Sequence, residues 1–391
     1  MSEKNTAANL EDYLRWRGDL TFEQDGFNEV DNLLLCLLSY IDLGRIELVR
    51  SKDPADALSL FAACDRLTEE DEQRGLSTRE YIPIMRQAAQ TERFKDVALF
   101  GYESLHDESR EMQFDAVSYL LPDGSVFAAY MGTDRSLVGW KEDFNMSFLS
   151  AVPAQERAAA YAAEIGAACP ERPLRLGGHS KGGNLAVWAA AHLPELLQDR
   201  LLAAYNNDGP GFSGNLLDSE GYRRVESRIH TFIPESSIIG MLMSHAEDYE
   251  VIDSTNHAIM QHEPLSWVVM GNRFVHLGQR SQIGRFSDNV LREWVDSMDA
   301  KERETFIEAL FDVVSQGGRI RSLEELRGGG LIGRAALLRK LADVDEEKKT
   351  VLLEGLRNLA SDVREGLKAG AGEGLEAAKR GLQKLLPDWI R

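Results

Sequence analysis

The chain has 391 residues, 43% of them hydrophobic, enough to bury a full core and to form one large domain plus something smaller. A formal net charge of -20 argues against nucleic acid as a partner, because phosphate binding draws on clustered Lys and Arg. The acidic excess belongs to the first 300 residues, with 27 basic and 48 acidic side chains, and an anionic membrane would repel it.

The start, Met1 to Asp12, is polar and acidic rather than a basic region followed by an apolar one, so no secretory signal is expected and the default location is the cytoplasm. The longest apolar run, Leu33 to Tyr40, is too short to span a bilayer and reads as a buried helix. Residues 1–100 are expected to form an N-terminal helical layer. In it, Asn28-Glu29-Val30-Asp31 leads into Leu33, Leu34, Leu37 and Leu38. Between Lys52 and Gln90 the chain turns charged and helix-like, with Asp53-Pro54 and Ile82-Pro83 as breaks. Cys36, Cys64 and Cys169 are odd in number and lack metal-ligand spacing, so all three read as reduced core residues.

Residues 101–285 read as an α/β core. Phe114 to Leu121 and Ser125 to Met131 are β-rich runs joined by Pro122-Asp123-Gly124, a hairpin signal. The second run ends in Gly132-Thr133-Asp134. Small and hydroxylated residues at a strand end upstream of a serine turn are where one half of an oxyanion hole is built, and Thr133 carries both an amide and a hydroxyl. A helix over Ala154 to Ala168 follows. Then Leu174 to Trp188 runs from a short apolar strand through Gly178-His179-Ser180-Lys181-Gly182 into an Ala-rich helix. That is G-x-S-x-G in the strand, sharp turn, helix order the motif requires. It would raise the Ser180 hydroxyl above the sheet edge and aim the first helical amides at the oxygen the serine attacks.

Leu201 to Asn206 reads as the next buried strand, ending in Asn206-Asn207-Asp208-Gly209. Arg228 to Ile233 and Tyr249 to Ile252 read as further strands, with a short apolar helix Ser236 to Met243 between them. Strands alternating with helices predict a sheet that is mostly parallel around the serine, with ligands bound at the strand C-termini. Residues 286–391 read as helical throughout, with Leu352, Leu353, Leu356, Leu359, Val363 and Leu367 at helical spacing. This stripe has no basic excess, so residues 340–391 are expected to pack on the main domain or on a second copy, giving a homo-oligomer, rather than on a membrane. Gly328, Gly330 and Gly333 satisfy G-x-G-x-x-G, but no strand precedes them, which removes the dinucleotide reading.

These residues carry a resemblance. From about Tyr130 to Trp267 the chain resembles α/β-hydrolases of the class 3 (fungal-type) lipase group. More closely it resembles a bacterial family of uncharacterised lipase-like proteins with a Gly-His-Ser-Lys-Gly-Gly elbow, which extends to Trp16-Arg17-Gly18-Asp19 and Asn28-Glu29-Val30-Asp31. The resemblance implies that Thr133 carries the oxyanion hydroxyl and that Trp140 falls near the start of a lid. Two departures stand out: Met131 where Arg is usual, and Lys181 where an apolar residue follows the serine.

The expectation is therefore an α/β-hydrolase-like fold, a mostly parallel sheet with flanking helices and a helical C-terminal region. Its expected activity is that of a serine hydrolase acting on a small-molecule carboxylic ester or thioester. No metal or organic cofactor is implied. Ser180 would attack the carbonyl, a histidine would take its proton, and the Thr133 and Lys181 amides would hold the oxyanion. The alternative is an inactive hydrolase-like module that binds an acyl ligand or protein partner through the same pocket; a peptidase is a third reading of the motif. An ammonium at a helix start opposes the helix dipole, so Lys181 is expected to pair with Asp208, Glu142 or Asp143.

Chain order in this fold is serine, acid, histidine, which leaves His230, His245, His257, His262 and His276 as bases. His230 sits inside a strand and reads as a packed residue. The lipase resemblance selects among the rest. Phe232-Ile233-Pro234-Glu235-Ser236 resembles the segment carrying the acid, Ser244-His245-Ala246-Glu247-Asp248-Tyr249 the one with a noncatalytic histidine, and Gln261-His262-Glu263-Pro264-Leu265-Ser266-Trp267 the one with the catalytic histidine. It thus implies Ser180, Glu235 and His262, with Asp208 as the reserve acid and His257 as the reserve base.

Overall fold

The computed structural model describes residues 7–72, 76–133, 151–212, 216–237, 239–256, 258–278, 297–299, 301–302, 305–306, 308–309, 344–346, 348–355 and 357. Two compact units divide the chain. The first comprises Met1–His106, Gln113–Gly132 and Pro153–Gln279; the second comprises Asp107–Met112, Thr133–Val152 and Arg280–Arg391.

The first unit is built on the hairpin. Strands β3 (Met112–Leu120) and β4 (Val126–Tyr130) pair antiparallel. Their turn is closed by Asp123, whose carboxylate accepts from the Ser125 amide and hydroxyl, and by Gly124 at φ +85°. From β4 the chain crosses through the helix Pro153–Ala168 to β5 (Leu174–His179), then through the helix Lys181–His192 to β6 (Leu201–Asn207). It continues to β7 (Ile229–Pro234) and β8 (Tyr249–Ile252). Strands β4 to β8 are parallel neighbours, as their crossover connections require. With β1 (Leu58–Ser59), β2 (Ala98–Asp107) and β11 (His276–Leu277) they form one nine-stranded sheet in the order β1-β2-β3-β4-β5-β6-β7-β8-β11. The short strands β9 (Val269–Met270) and β10 (Arg273–Phe274) pair separately.

Successive residues of a strand face opposite sides, and β5 shows what each side carries. Gly177 abuts Asn32 and Cys36 of the helix Glu29–Leu38, whereas Gly178 abuts Gly182 of the helix Lys181–His192. Helices thus cover both faces of a mixed, centrally parallel sheet: an α/β-hydrolase-like fold. The buried Leu33 to Leu38 run covers one face, and the Ala- and Gly-rich helix after Ser180 covers the other at close range.

Three local expectations are corrected. The strands β1 and β2 lie in stretches read as helical or left unassigned; β2 carries Gly101 at φ +68° and charged residues beyond it, which hide its pattern. The helix Leu76–Ala89 runs through Pro83, because the proline lies on the exposed side while Ile82, Ile84 and Met85 are buried. Among the described residues from Ser236 to Met243, only Ile239–Met241 is helical, as a 3-10 turn, since the Ser236 amide is drawn to Gln261 and the Ser237 hydroxyl to Asp208. All three cysteines are free.

In the second unit, residues 348–355 are helical, Leu352 is buried, and Gly355 lies against the Phe306 ring. The rest of the expected tail stripe from Leu356 onward, the Gly328, Gly330 and Gly333 motif, Trp140, Glu142, Asp143 and His257 lie outside the described residues. Among the described residues no helix is long and apolar enough to cross a membrane, and no group of three or more His, Cys, Asp and Glu could hold a metal ion.

Candidate active site

At the C-terminal end of β5, Ser180 takes φ +59° and ψ -133°, a conformation that a non-glycine residue holds only when its surroundings impose it. The surroundings here are two glycines. A Cβ on Gly178 would fall 2.1 Å from the Gly182 carbonyl carbon, and one on Gly182 would fall 2.1 Å from the Tyr130 carbonyl oxygen of β4, so the turn closes only where both lack side chains. The Ser180 amide donates to the Asn207 carbonyl at 3.0 Å, locking the turn onto β6. The next residue, Lys181, opens the helix, whose first amides point out of its N-terminus.

The neighbouring strand supplies a carboxylate. Beyond β6, Asp208 sits at φ +55°, fully buried, with its amide bonded to the Phe232 carbonyl at 2.9 Å. Its Oδ2 accepts from the Ser237 hydroxyl at 2.6 Å and meets His262 Nδ1 at 2.7 Å. The other oxygen, Oδ1, accepts no hydrogen bond among the described residues. It faces Gly240, where an added Cβ would come within 2.3 Å. The acid is therefore desolvated, and its hydrogen bonding converges on the atom that holds the imidazole.

His262 ends the 3-10 turn Ala258–His262, which Trp267 Nε1 anchors by donating to the Gln261 carbonyl at 2.8 Å. Its ring lies 4.6 Å from that of His179, the residue before Ser180, and His179 Nε2 is 2.9 Å from the His262 carbonyl oxygen. Burial pushes His179 well below the ordinary histidine range, and the charge of His262 pushes it the same way. With Nδ1 taken by Asp208, His262 keeps Nε2 for proton exchange. Among the described residues no hydrogen bond joins its ring to the Ser180 hydroxyl; the structure connects the two through His179.

The carboxylate in contact with His262 is that of Asp208, the reserve candidate, rather than that of Glu235. Glu235 stands one strand further along, half-buried after β7, with its amide on the Ile252 carbonyl at 3.1 Å. The buried ammonium of Lys181 donates to the Gln113 carbonyl at 2.8 Å and to Gln113 Oε1 at 2.9 Å; of its three expected partners, Glu142 and Asp143 lie outside the described residues. Gln113 Nε2 in turn donates to Asp115 at 2.7 Å. Burial pushes the Asp115 carboxyl up, but bonds from His106, Ser104 and Gln113 outweigh it and keep the group below the usual carboxylate range. The charge of Lys181 thus connects to a carboxylate through one amide. Thr133 belongs to the second unit.

Sequence reading missed the amides behind the site. Asn32 and Asn207 exchange side-chain bonds at 2.8 and 3.2 Å, and Asn207 also donates to the Gly178 carbonyl at 3.0 Å, tying a helix of one face to the elbow and β6. A buried Asn has no period or motif to announce it.

The remaining histidines do other work. His230 stacks on Tyr205 at 5.3 Å. His245 lies 3.0 Å from Glu247 through Nδ1 and 2.6 Å from the Gly240 carbonyl through Nε2, holding the turn that abuts Asp208. Burial alone would raise the Glu247 carboxyl, but bonds from His245, Thr231 and Tyr222 hold it down to about 2. A depressed carboxylate contributes its stability fully above its ordinary value of 4.5, and loses it as pH falls from there toward 2. The wild-type melting temperature should therefore drop through that window, and Glu247→Gln should be less stable at neutral pH with a shallower drop. Equally steep acid limbs in calorimetric scans of the two proteins would show that Glu247 is not the group responsible.

A profile of the family described as Mbeg1-like matches residues 88–312, more than half of the chain. No curated protein matches it. Among solved structures, the chain is similar to the native lipase propeptide complex of Rhizomucor miehei at 16% identity, covering 46% of this chain and 70% of that one with a TM-score of 0.32. It is also similar to the lipase of Rhizopus microsporus var. chinensis at 12% identity, covering 61% and 88% with a TM-score of 0.30.

Proposed function

The chain belongs to the Mbeg1-like family, a lipase-like one, and from that premise we propose that it is a serine hydrolase of carboxylic esters or thioesters. The observation that carries the proposal is the His262 Nδ1 to Asp208 Oδ2 contact of 2.7 Å, set beside a serine held at φ +59° at the head of a helix. An acid bound to one imidazole nitrogen fixes the tautomer whose other nitrogen can take a proton.

In the reaction, Ser180 Oγ attacks the acyl carbon while its proton passes to His262 Nε2, and the imidazolium formed is stabilised by Asp208. The carbonyl oxygen, now negative, is held at the helix N-terminus by the Lys181 amide. The bond to the leaving alkoxide or thiolate then breaks, and that group takes the proton from His262. Water cleaves the Ser180 ester by the same steps, releasing the acid and restoring the serine. Buried Lys181, seated on Gln113, supports the turn from behind.

Treatment with a fluorophosphonate should label the wild-type protein at Ser180 and leave Ser180→Ala unlabelled. An unlabelled wild type, folded by circular dichroism, would favour the binding-module alternative instead.

A further inference from the structure

We infer that Tyr40 and His179 form a positioning pair for the base His262, an inference that rests on the hydrolase reading. Tyr40 follows the helix Glu29–Leu38, outside the residues that the family profile matches. Its hydroxyl lies 3.1 Å from His179 Nδ1, and His179 Nε2 lies 2.9 Å from the His262 carbonyl oxygen.

Hydrogen-bond chemistry assigns every proton in this chain. A carbonyl oxygen only accepts, so His179 Nε2 must carry a hydrogen. The ring is buried and neutral, so Nδ1 is a lone pair and the Tyr40 hydroxyl donates to it. That hydroxyl also lies 3.3 Å from the His179 carbonyl, but it has one proton, and the nitrogen is the nearer acceptor. Tyr40 therefore selects the tautomer of His179 that can hold the main chain of His262.

The same arrangement serves the chemistry. Among the described residues, the groups that face His179 are Tyr40, the His262 ring at 4.6 Å and the Trp267 ring at 5.9 Å, with Asp208 beyond His262. When His262 accepts the serine proton it becomes a cation against the face of His179. A neutral ring there permits the charge, whereas a protonated one would oppose it. A donor on Nδ1 disfavours protonation of His179, so Tyr40 keeps the ring neutral down to lower pH.

The test uses the full-length protein with a short-chain p-nitrophenyl ester. Tyr40→Phe should lower kcat about tenfold, the worth of one buried hydrogen bond, with KM unchanged. The acidic limb of its kcat/KM profile should move to higher pH, because His179 protonates more readily. His179→Phe should lose a similar factor in kcat without moving the limb, since the new ring cannot titrate, and His179→Gln should regain part of the loss by donating an amide hydrogen to the His262 carbonyl. Nitrogen-15 spectra of the imidazoles should show His179 as the neutral Nε2–H tautomer in the wild type and should show that state depleted in Tyr40→Phe. Wild-type kcat and pH profile in Tyr40→Phe, or a His179 protonated on Nδ1 in the wild type, would overturn the pairing while leaving hydrolysis in place. Failure of the wild type to hydrolyse any ester or react with the probe would overturn the hydrolase reading and the positioning role together.

Discussion

Asp208→Asn should lower kcat for ester hydrolysis by about 10³ to 10⁴, and Glu235→Gln should change it by no more than about twofold. The reason lies in the 2.7 Å contact between Asp208 Oδ2 and His262 Nδ1. A carboxylate there accepts the Nδ1 hydrogen and leaves Nε2 free to take the serine proton; an asparagine can present its amide hydrogens instead and favour the opposite tautomer. The geometry would survive, because the Ser237 hydroxyl and the Phe232 carbonyl hold the residue in place. KM should stay near the wild-type value, since the interaction matters when His262 is charged rather than when substrate binds. His262→Ala should show a loss of at least the same size. A Glu235→Gln protein that loses the activity while Asp208→Asn keeps it would restore the assignment made from the resemblance and remove this one.

Asp31→Ala should destabilise the first unit by about 3–5 kcal/mol, among the largest effects expected of any single exchange outside the site. Asp31 and Arg93 are both fully buried, and the pair is bidentate, with Nε at 2.7 Å from Oδ1 and the second nitrogen at 2.5 Å from Oδ2. Arg93 also gathers the loop before the helix Glu29–Leu38 by donating to the carbonyls of Asp25 at 2.8 Å and Gly26 at 3.0 Å, and it stacks on Phe22 at 4.4 Å. Tyr13 adds its hydroxyl to Asp31 at 2.7 Å. Removing the carboxylate leaves a guanidinium in the core without its bidentate partner, which costs far more than the pair contributes. Denaturant melts should show the loss directly, and Asp31→Leu combined with Arg93→Leu should recover much of it. A single variant within about 1 kcal/mol of wild type would mean that water or a rearranged carbonyl replaces the carboxylate.

Much of the architecture is written in local pattern. Pro122-Asp123-Gly124 between two β-rich runs specifies a hairpin because Asp123 can cap the turn and Gly124 can take positive φ, and the structure has that hairpin. Gly178-His179-Ser180-Lys181-Gly182 specifies a strained serine because a Cβ on Gly178 would strike the Gly182 backbone and one on Gly182 the Tyr130 carbonyl. The strand Tyr249–Ile252 and the helix ending at Ala168 follow from period and composition alone. Apart from the Tyr130 contact, these are interactions between residues a few positions apart, so the sequence contains their terms.

What the sequence by itself determined, then, is the alternation of central strands and helices and the strand, turn and helix around Ser180. Which carboxylate reaches His262 was decided by tertiary structure. Asp208 and Glu235 both stand just past the ends of parallel strands, each after an apolar run, and local preference does not separate them. Asp208 wins because β6 lies directly beside β5, and because the turn Ala258–His262 is pulled back over it by Trp267 and by the contact between His179 and the His262 carbonyl. Likewise Lys181 bonds to Gln113, 68 residues away, and Asp31 pairs with Arg93, 62 residues away. A buried charge needs a partner whatever its place in the chain, and the identity of that partner depends on which segments the packed sheet and helices bring together.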